Sequence, residues 1–192
     1  MIHLVDDDDA VTRSCCFLLE SMGYSVQCWN HSEQFLHEAP LTTTGIALLD
    51  MRMPVMDGHC LFQAMREADS TLAVIFLTGH GDVPMAVKEI QLGAVDFLEK
   101  PVATAALQVA ISKGYEHSAQ LTAMQTLKRR FDTLTAKEQE VARCVVAGLM
   151  NKDIATHMHI AVRTVEVHRS RVMEKMAARN MAEFIGQMRQ IG

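Results

Sequence analysis

Short apolar runs that stop at charged or turn residues alternate with helix-spaced apolar positions along the first 117 residues. Ile2-His3-Leu4-Val5 is the first run, and Asp6-Asp7-Asp8-Asp9 ends it. Val11, Cys15, Leu18, Leu19 and Met22 then fall at i, i+4, i+7, i+8 and i+11, one face of a helix that Gly23 stops. Ser25 to Trp29 alternates as a second strand, and Ser32 is placed to cap a short helix through Ala39. Ile46-Ala47-Leu48-Leu49 runs straight into Asp50, followed by Met51-Arg52-Met53-Pro54, Asp57-Gly58 and a helical pattern from Cys60 to Ala68. Ala73 to Leu77 is a fourth strand, ending in Thr78-Gly79, with a helix from about Val83 to Leu92 behind it. Val95 to Leu98 is the fifth, ending in Glu99-Lys100-Pro101 before a helix from Thr104 toward His117. Wholly apolar strands bounded by turn residues are those buried on both faces of a parallel sheet.

Five strand–helix alternations require helices on both faces of such a sheet. The strand order 2-1-3-4-5 of the flavodoxin-like group fits the length. Ligands collect at the carboxyl ends of the strands, where the winding reverses between strands 1 and 3. That order gathers Asp6, Asp7 and Asp50 into one crevice, with Thr78 and Lys100 at neighbouring strand ends. Three convergent carboxylates repel one another unless a cation intervenes, and a hard divalent ion, Mg²⁺ by preference, suits oxygen ligands.

The remaining pattern is all helical. Leu121, Met124, Leu127 and Phe131 keep helical spacing through a polar linker, 118–132. Thr135 and Glu138 form an S/T-x-x-E capping box that opens a helix ending at Gly148. A short helix from Asn151 to His157 and a longer one from about Val162 to Met176 follow, a helix-turn-helix arrangement. On the longer helix Val165, His168, Val172 and Met176 form a core stripe, and Arg163, Glu166, Val167, Ser170, Arg171 and Glu174 lie opposite.

Charge divides the chain at the same place. Residues 1–117 carry 6 Lys and Arg against 16 Asp and Glu, a net of −10, whereas residues 118–192 carry 12 against 7, a net of +5. An acidic half joined to a basic half implies two domains with different partners, the second a polyanion. No apolar run reaches the ~20 residues of a membrane span, and the start lacks a signal peptide's features, so a cytoplasmic protein is expected. Cys15, Cys16, Cys28, Cys60 and Cys144 are odd in number and contain no C-x-x-C pair, which argues against a disulfide framework or a zinc site. Cys15-Cys16 as a redox pair is weighed against small core thiols, and neighbours on a helix do not face each other. His157, His159 and His168 have no cysteine or carboxylate at zinc-like spacing to complete a ligand set.

Val5-Asp6-Asp7, Leu49 to Pro54 with Asp57-Gly58, Thr78-Gly79, and Phe97 with Lys100-Pro101 together resemble the receiver domain of two-component response regulators. Gly79-His80-Gly81-Asp82-Val83-Pro84-Met85 resembles more narrowly the FixJ-like members. The resemblance implies that Asp50 accepts a phosphoryl group from a partner kinase's histidine. It further implies that Asp6, Asp7, Asp50 and the Arg52 carbonyl hold Mg²⁺, that Thr78 and Lys100 bond the phosphoryl oxygens, and that Phe97 is the switch aromatic.

In the second half, Leu134-Thr135, Glu140-Val141, Gly148, Asn151-Lys152, Ile154-Ala155, Arg163 to His168 and Lys175-Met176 resemble the LuxR-type DNA-binding domain. That resemblance sends the helix from Val162 into the major groove. Lys152, Arg163, Arg169 and Arg171 are then the phosphate contacts, with Thr164 at the helix start, and Glu166, Val167 and Ser170 read bases. Glu166 stands where a lysine is frequent in the class, although FixJ-like members carry glutamate.

The expected protein is a phosphorylation-controlled transcription factor rather than an enzyme: receiver 1–117, linker 118–132, DNA-binding domain 133–192. Its partners are a sensor histidine kinase, promoter DNA and, after phosphorylation, a second copy of itself, with RNA polymerase left open as a fourth. A dehalogenase-type phosphatase needs a second aspartate two residues after its nucleophile, where Arg52 stands. A receiver that only binds a partner would lack part of the set Asp6, Asp7, Asp50, Thr78 and Lys100, which is complete here.

Overall fold

The computed structural model describes residues 1–79 and 83–191, and the chain divides into two units, Met1–Thr122 and Ala123–Gly192. In the first, β1 (Ile2–Val5), β2 (Val26–Trp29), β3 (Ile46–Asp50), β4 (Ala73–Thr78) and β5 (Asp96–Glu99) pair in parallel in the order β2-β1-β3-β4-β5. Every residue of β1, β3 and β4 is buried. Strand alternation sends Val5, Leu49 and Phe76 into one core with Phe35 and Leu61, and Leu4, Leu48 and Ile75 into another with Leu19 and Ile111. Both faces are therefore covered, as the unbroken apolar runs require.

The helices of this unit are α1 (Asp9–Ser21), α2 (Ser32–Glu38), α3 (Gly58–Glu67), α4 (Val83–Gln91) and the first part of α5 (Thr104–Asp132), whose residues from Ala123 belong to the second. Asp8 caps α1, its Oδ1 accepting from the Ala10 N–H at 2.8 Å. Ser32 does not cap α2. It is the first helical residue, His31 holds the cap position, and the Ser32 hydroxyl donates instead to the Met56 carbonyl at 2.8 Å. The helix from Thr104 and the helical spacing of the linker 118–132 form one continuous helix that ends at Asp132. Within it Ser118 is fully buried, donating to the Thr71 carbonyl at 2.6 Å and accepting from the Gly45 N–H at 2.9 Å. Those two groups sit just before β3 and β4, where no strand partner would otherwise meet them. His80, Gly81 and Asp82 of the FixJ-like motif lie outside the described residues. Among the described residues no helix is long and apolar enough to cross a membrane.

The second unit packs α6 (Ala136–Val146), α7 (Asn151–Met158), α8 (Val162–Lys175) and α9 (Met181–Ile191) around Val141, Ile154, Val165, Val172, Met176 and Phe184. The capping box is formed: the Thr135 hydroxyl accepts from the Glu138 N–H at 3.3 Å, and the Glu138 carboxylate from the Thr135 N–H at 2.9 Å. Glu138 is only 2% exposed and also receives Lys175 Nζ at 2.6 Å, which ties the start of α6 to the end of α8. That hydrogen bond, with the Thr135 N–H and against the effect of burial, holds the Glu138 carboxyl down at about 2, below its ordinary 4.5. The unfolded chain binds the proton first as pH falls, so this stabilisation is complete above about 4.5 and is lost as pH drops toward about 2. Glu138→Gln is expected to destabilise the second unit by about 1–3 kcal/mol at neutral pH. In urea unfolding, its deficit against the wild type should shrink across that acid window; a deficit constant with pH would count against the charged pair.

Candidate functional site

Strand register determines what meets at the carboxyl edge of the sheet. β1 ends one residue before Asp6, and its Val5 lies opposite Leu49, so Asp6 and Asp50 emerge side by side. Asp50 lies opposite Leu77, and Thr78 opposite Glu99, which brings the chain leading to Lys100 to the same edge. One oxygen from each of Asp6, Asp7 and Asp50 lies within 4.8 Å of the others. Asp6 and Asp50 are buried and Asp7 is exposed.

Lys100 Nζ enters this cluster. It donates to Asp6 Oδ2 at 2.6 Å and to Asp50 Oδ1. The other oxygens are held from the backbone: Asp50 Oδ2 accepts from the Arg52 N–H at 2.8 Å, and Asp6 Oδ1 from the Asp8 N–H at 3.0 Å. Burial pushes the Asp50 carboxyl above its ordinary range, against the opposing pull of Lys100. Burial alone would lower the Lys100 ammonium, but its hydrogen bonds to Asp50 and Asp6 raise it overall. One ammonium among three carboxylates leaves the pocket net negative when all are ionised, and its donors are all hard oxygens, so the residues present fit a divalent cation.

Thr78 is buried at the end of β4; its hydroxyl donates to the Gly79 carbonyl at 3.0 Å, and its carbonyl accepts from the Lys100 N–H at 2.7 Å. Phe97 lies opposite Phe76 on β5, half-buried against the Val5–Phe76 core. A cavity of about 430 Å³ opens beside it, lined by Phe97, Glu99, Lys100, Pro101 and Val102 among others.

Two supporting features were less visible in the sequence. A Cβ at Gly58 would collide with the Asp50 carbonyl oxygen, so the chain entering α3 can lie against the strand end only as glycine. Asp57 before it caps α3 by accepting from the Cys60 N–H at 2.8 Å. The Asp-Gly dipeptide signals this turn. The Thr12 hydroxyl, one turn into α1, donates to the Asp6 carbonyl at 3.2 Å and has no such signal.

In the second unit, α7 and α8 are joined through His159, in the left-handed region at φ 54°. Val165 and Val172 face the core with Met176 just beyond the helix, while His168 is half-buried. Arg163, Thr164, Glu166, Val167, Ser170 and Arg171 are exposed on α8, and Lys152 is exposed on α7. Arg169 is separated from that set: it is half-buried and donates to Asn151 Oδ1 at 2.5 Å, fastening α8 to the first residue of α7. No side chain caps the start of α8 at Ala161. Its first N–H groups are thus left to outside acceptors, a geometry that suits phosphate. His157 pairs with Glu140 at 3.6 Å, and none of His157, His159 and His168 belongs to a metal-holding cluster among the described residues.

Residues 2–112 match the family model for the response regulator receiver domain, and residues 132–187 that for bacterial regulatory proteins of the luxR family. The tetrathionate response regulatory protein TtrR of Salmonella typhimurium is 55% identical over 96% of this chain and 89% of its own. The transcriptional regulatory protein FixJ of Rhizobium meliloti is 39% identical over 96% of this chain and 92% of its own. Among solved structures, the response regulator StyR superposes with a TM-score of 0.70 at 35% identity, covering 98% of both chains. Full-length FixJ from B. japonicum gives 0.59 at 36% identity, covering 98% of this chain and 95% of its own. These relatives are regulators rather than enzymes, and a receiver followed by a LuxR-type domain implies a histidine kinase and DNA as partners. The chain belongs to the two-component response regulators that carry a LuxR-type DNA-binding output domain.

Proposed function

We propose that Asp50 is the phosphoacceptor through which a partner histidine kinase controls DNA binding by this regulator. The observation that carries the reading is that Asp50 lies beside the carboxylates of Asp6 and Asp7, with Lys100 bonded to both Asp50 and Asp6. An Asp50 oxygen attacks phosphorus, the bond from phosphorus to the kinase histidine breaks, and the departing imidazole takes up a proton. A positioned carboxylate suffices as nucleophile, because phosphoryl transfer depends mainly on alignment and charge balance. Asp6, Asp7, Asp50 and the Arg52 carbonyl would hold Mg²⁺, which supplies charge neutralisation at the phosphoryl oxygens. Lys100 pairs with one phosphoryl oxygen once Asp50 carries the group, and the Thr78 hydroxyl turns to another. Phe97 follows Thr78, and the cavity beside its ring gives it room to change rotamer.

In the output domain we assign phosphate contacts to Lys152, Arg163, Arg171 and Thr164, and base contacts to Glu166, Val167 and Ser170, while Arg169 holds α8 in place through Asn151. The receiver is taken as 1–117, the linker as 118–132 and the DNA-binding domain as 133–192, with the linker lying within α5. The protein acts in the cytoplasm, with RNA polymerase as a further partner. The identity to TtrR extends the proposal to the stimulus, a response to tetrathionate.

Incubation with a small acyl phosphate and Mg²⁺ is expected to add one phosphoryl group by intact mass and to tighten operator binding in a gel shift. Phosphorylation should also yield a two-fold dimer through the Val83–Leu98 segment, since readers of this shape bind paired half-sites. Light scattering at micromolar concentration checks it; a phosphorylated chain that stays monomeric sinks the dimer proposal. A chain that takes up no phosphoryl group sinks the phosphoacceptor reading itself.

A further inference from the structure

The end of α4 is turned against the chemistry of its own side chains. From Val87 to Gln91 the one buried residue is a charged one, Glu89 at 0% exposure, whereas Val87 and Ile90 are 54% and 43% exposed. Val87 and Ile90 are three residues apart and share a face of the helix, and Glu89 lies on the other. Apolar burial favours the opposite rotation, with Val87 and Ile90 inward, and a carboxylate without a partner in the interior opposes the one observed. The partner is His59, whose Nδ1–H donates to Glu89 Oε1 at 2.6 Å. Glu89 Oε2 is buried and meets no donor among the described residues, so the carboxylate depends on His59. Both residues are well anchored. His59 is the second residue of α3, next to the Gly58 that lies against the Asp50 carbonyl. The Glu89 carbonyl accepts from the Ala94 N–H at 3.0 Å, which fixes it to the turn before β5.

We propose that His59 is a positioning residue that sets the rotation of α4 and so presents Val87 and Ile90 as the apolar centre of the dimer surface. The proposal rests on the reading in which phosphorylation of Asp50 joins two copies through Val83–Leu98, and it assigns the orientation of that surface to a contact made away from the phosphoryl group. Without a donor at position 59 the carboxylate leaves the interior for water, and the turn of α4 that releases it carries Val87 and Ile90 inward. The dimer then loses its apolar contact. Asp6, Asp7, Asp50 and Lys100 keep their places, because none of them bonds His59 or Glu89.

The experiment uses the full chain with Cys60→Ser, which removes the exposed thiol, and Val87→Cys as a reporter read by peptide mass. The thiol at position 87 should alkylate rapidly, and about tenfold more slowly once His59→Ala makes the present rotation the minor one. His59→Asn keeps an N–H donor near the place of Nδ1 and should restore the rapid rate, which loss of ring packing alone would not allow. With Val87 intact, His59→Ala should still take up one phosphoryl group by intact mass yet stay monomeric in light scattering, and His59→Asn should dimerise. The alkylation measurement needs no phosphoryl group, so it decides the proposal even where a wild-type chain that takes up none has sunk the Asp50 reading. An alkylation rate unchanged by His59→Ala overturns the proposal. So does a phosphorylated His59→Ala chain that dimerises as the wild type does, or a His59→Asn chain that behaves as His59→Ala.

Discussion

An Asp50→Asn chain is expected to acquire no phosphoryl group from a small phosphodonor and Mg²⁺, and to keep its operator affinity at the unphosphorylated level. The effect is complete rather than graded because an amide offers neither the nucleophilic oxygen nor the charge of a carboxylate. Lys100→Ala separates chemistry from response. In the structure the Lys100 ammonium occupies the space between Asp6 and Asp50, so removing it leaves all the carboxylates for a cation. That variant should still take up one phosphoryl group by intact mass, yet gain little DNA affinity from it, since the phosphoryl loses the partner that links it to the β5 turn. Stoichiometric phosphorylation of Asp50→Asn would show that another carboxylate is the acceptor. A full DNA-binding gain in phosphorylated Lys100→Ala would remove Lys100 from the switch.

The pocket was legible in the sequence because its members sit at the ends of strands that advertise themselves. β1, β3 and β4 are unbroken apolar runs, and the order β2-β1-β3-β4-β5 then brings Asp6, Asp50 and Lys100 to one edge across separations of 44 and 50 residues. Features set by contacts between distant segments were harder to read. Ser32 precedes a helix and has a capping residue's chemistry, but the carbonyl that claims its hydroxyl, that of Met56, is 24 residues away. Helical spacing was legible through 118–132, but its unbroken continuity with the helix from Thr104 was not, for a related reason. Ser118 looks like part of a polar linker until Gly45 and Thr71 are seen to need its hydroxyl. α9 was not anticipated, although its signal is present: Met181, Phe184, Ile185, Met188 and Ile191 keep helical spacing, and Asn180 caps it by accepting from the Glu183 N–H at 2.9 Å. For Arg169, periodicity says which side of the helix it takes but not that Asn151 waits there.

The exposed face of α8 supports a graded test on the phosphorylated full chain. Lys152, Arg163 and Arg171 are exposed cations, and Thr164 stands by the uncapped helix start. Removing any one of the three cations should weaken all sequences alike and flatten the salt dependence by roughly 0.9 of a log–log unit per lost phosphate contact. Glu166 and Val167 lie exposed between those cations, where a carboxylate can accept from cytosine N4 and an isopropyl group can pack on a thymine methyl. Glu166→Ala and Val167→Ala should each relax preference at one base pair by about 1–3 kcal/mol and leave the salt slope unchanged. Arg169 divides the two classes. Because it fastens α8 to Asn151, Arg169→Ala should lower both affinity and discrimination, and Asn151→Ala should reproduce most of that loss without removing a cation. Binding isotherms over a salt series against an operator and its single-base variants measure all of these. If Arg169→Ala only flattens the salt slope while Asn151→Ala binds normally, Arg169 is a plain phosphate contact and its bond to Asn151 gives way on DNA. If Glu166→Ala weakens every sequence equally, α8 does not present that face to the bases.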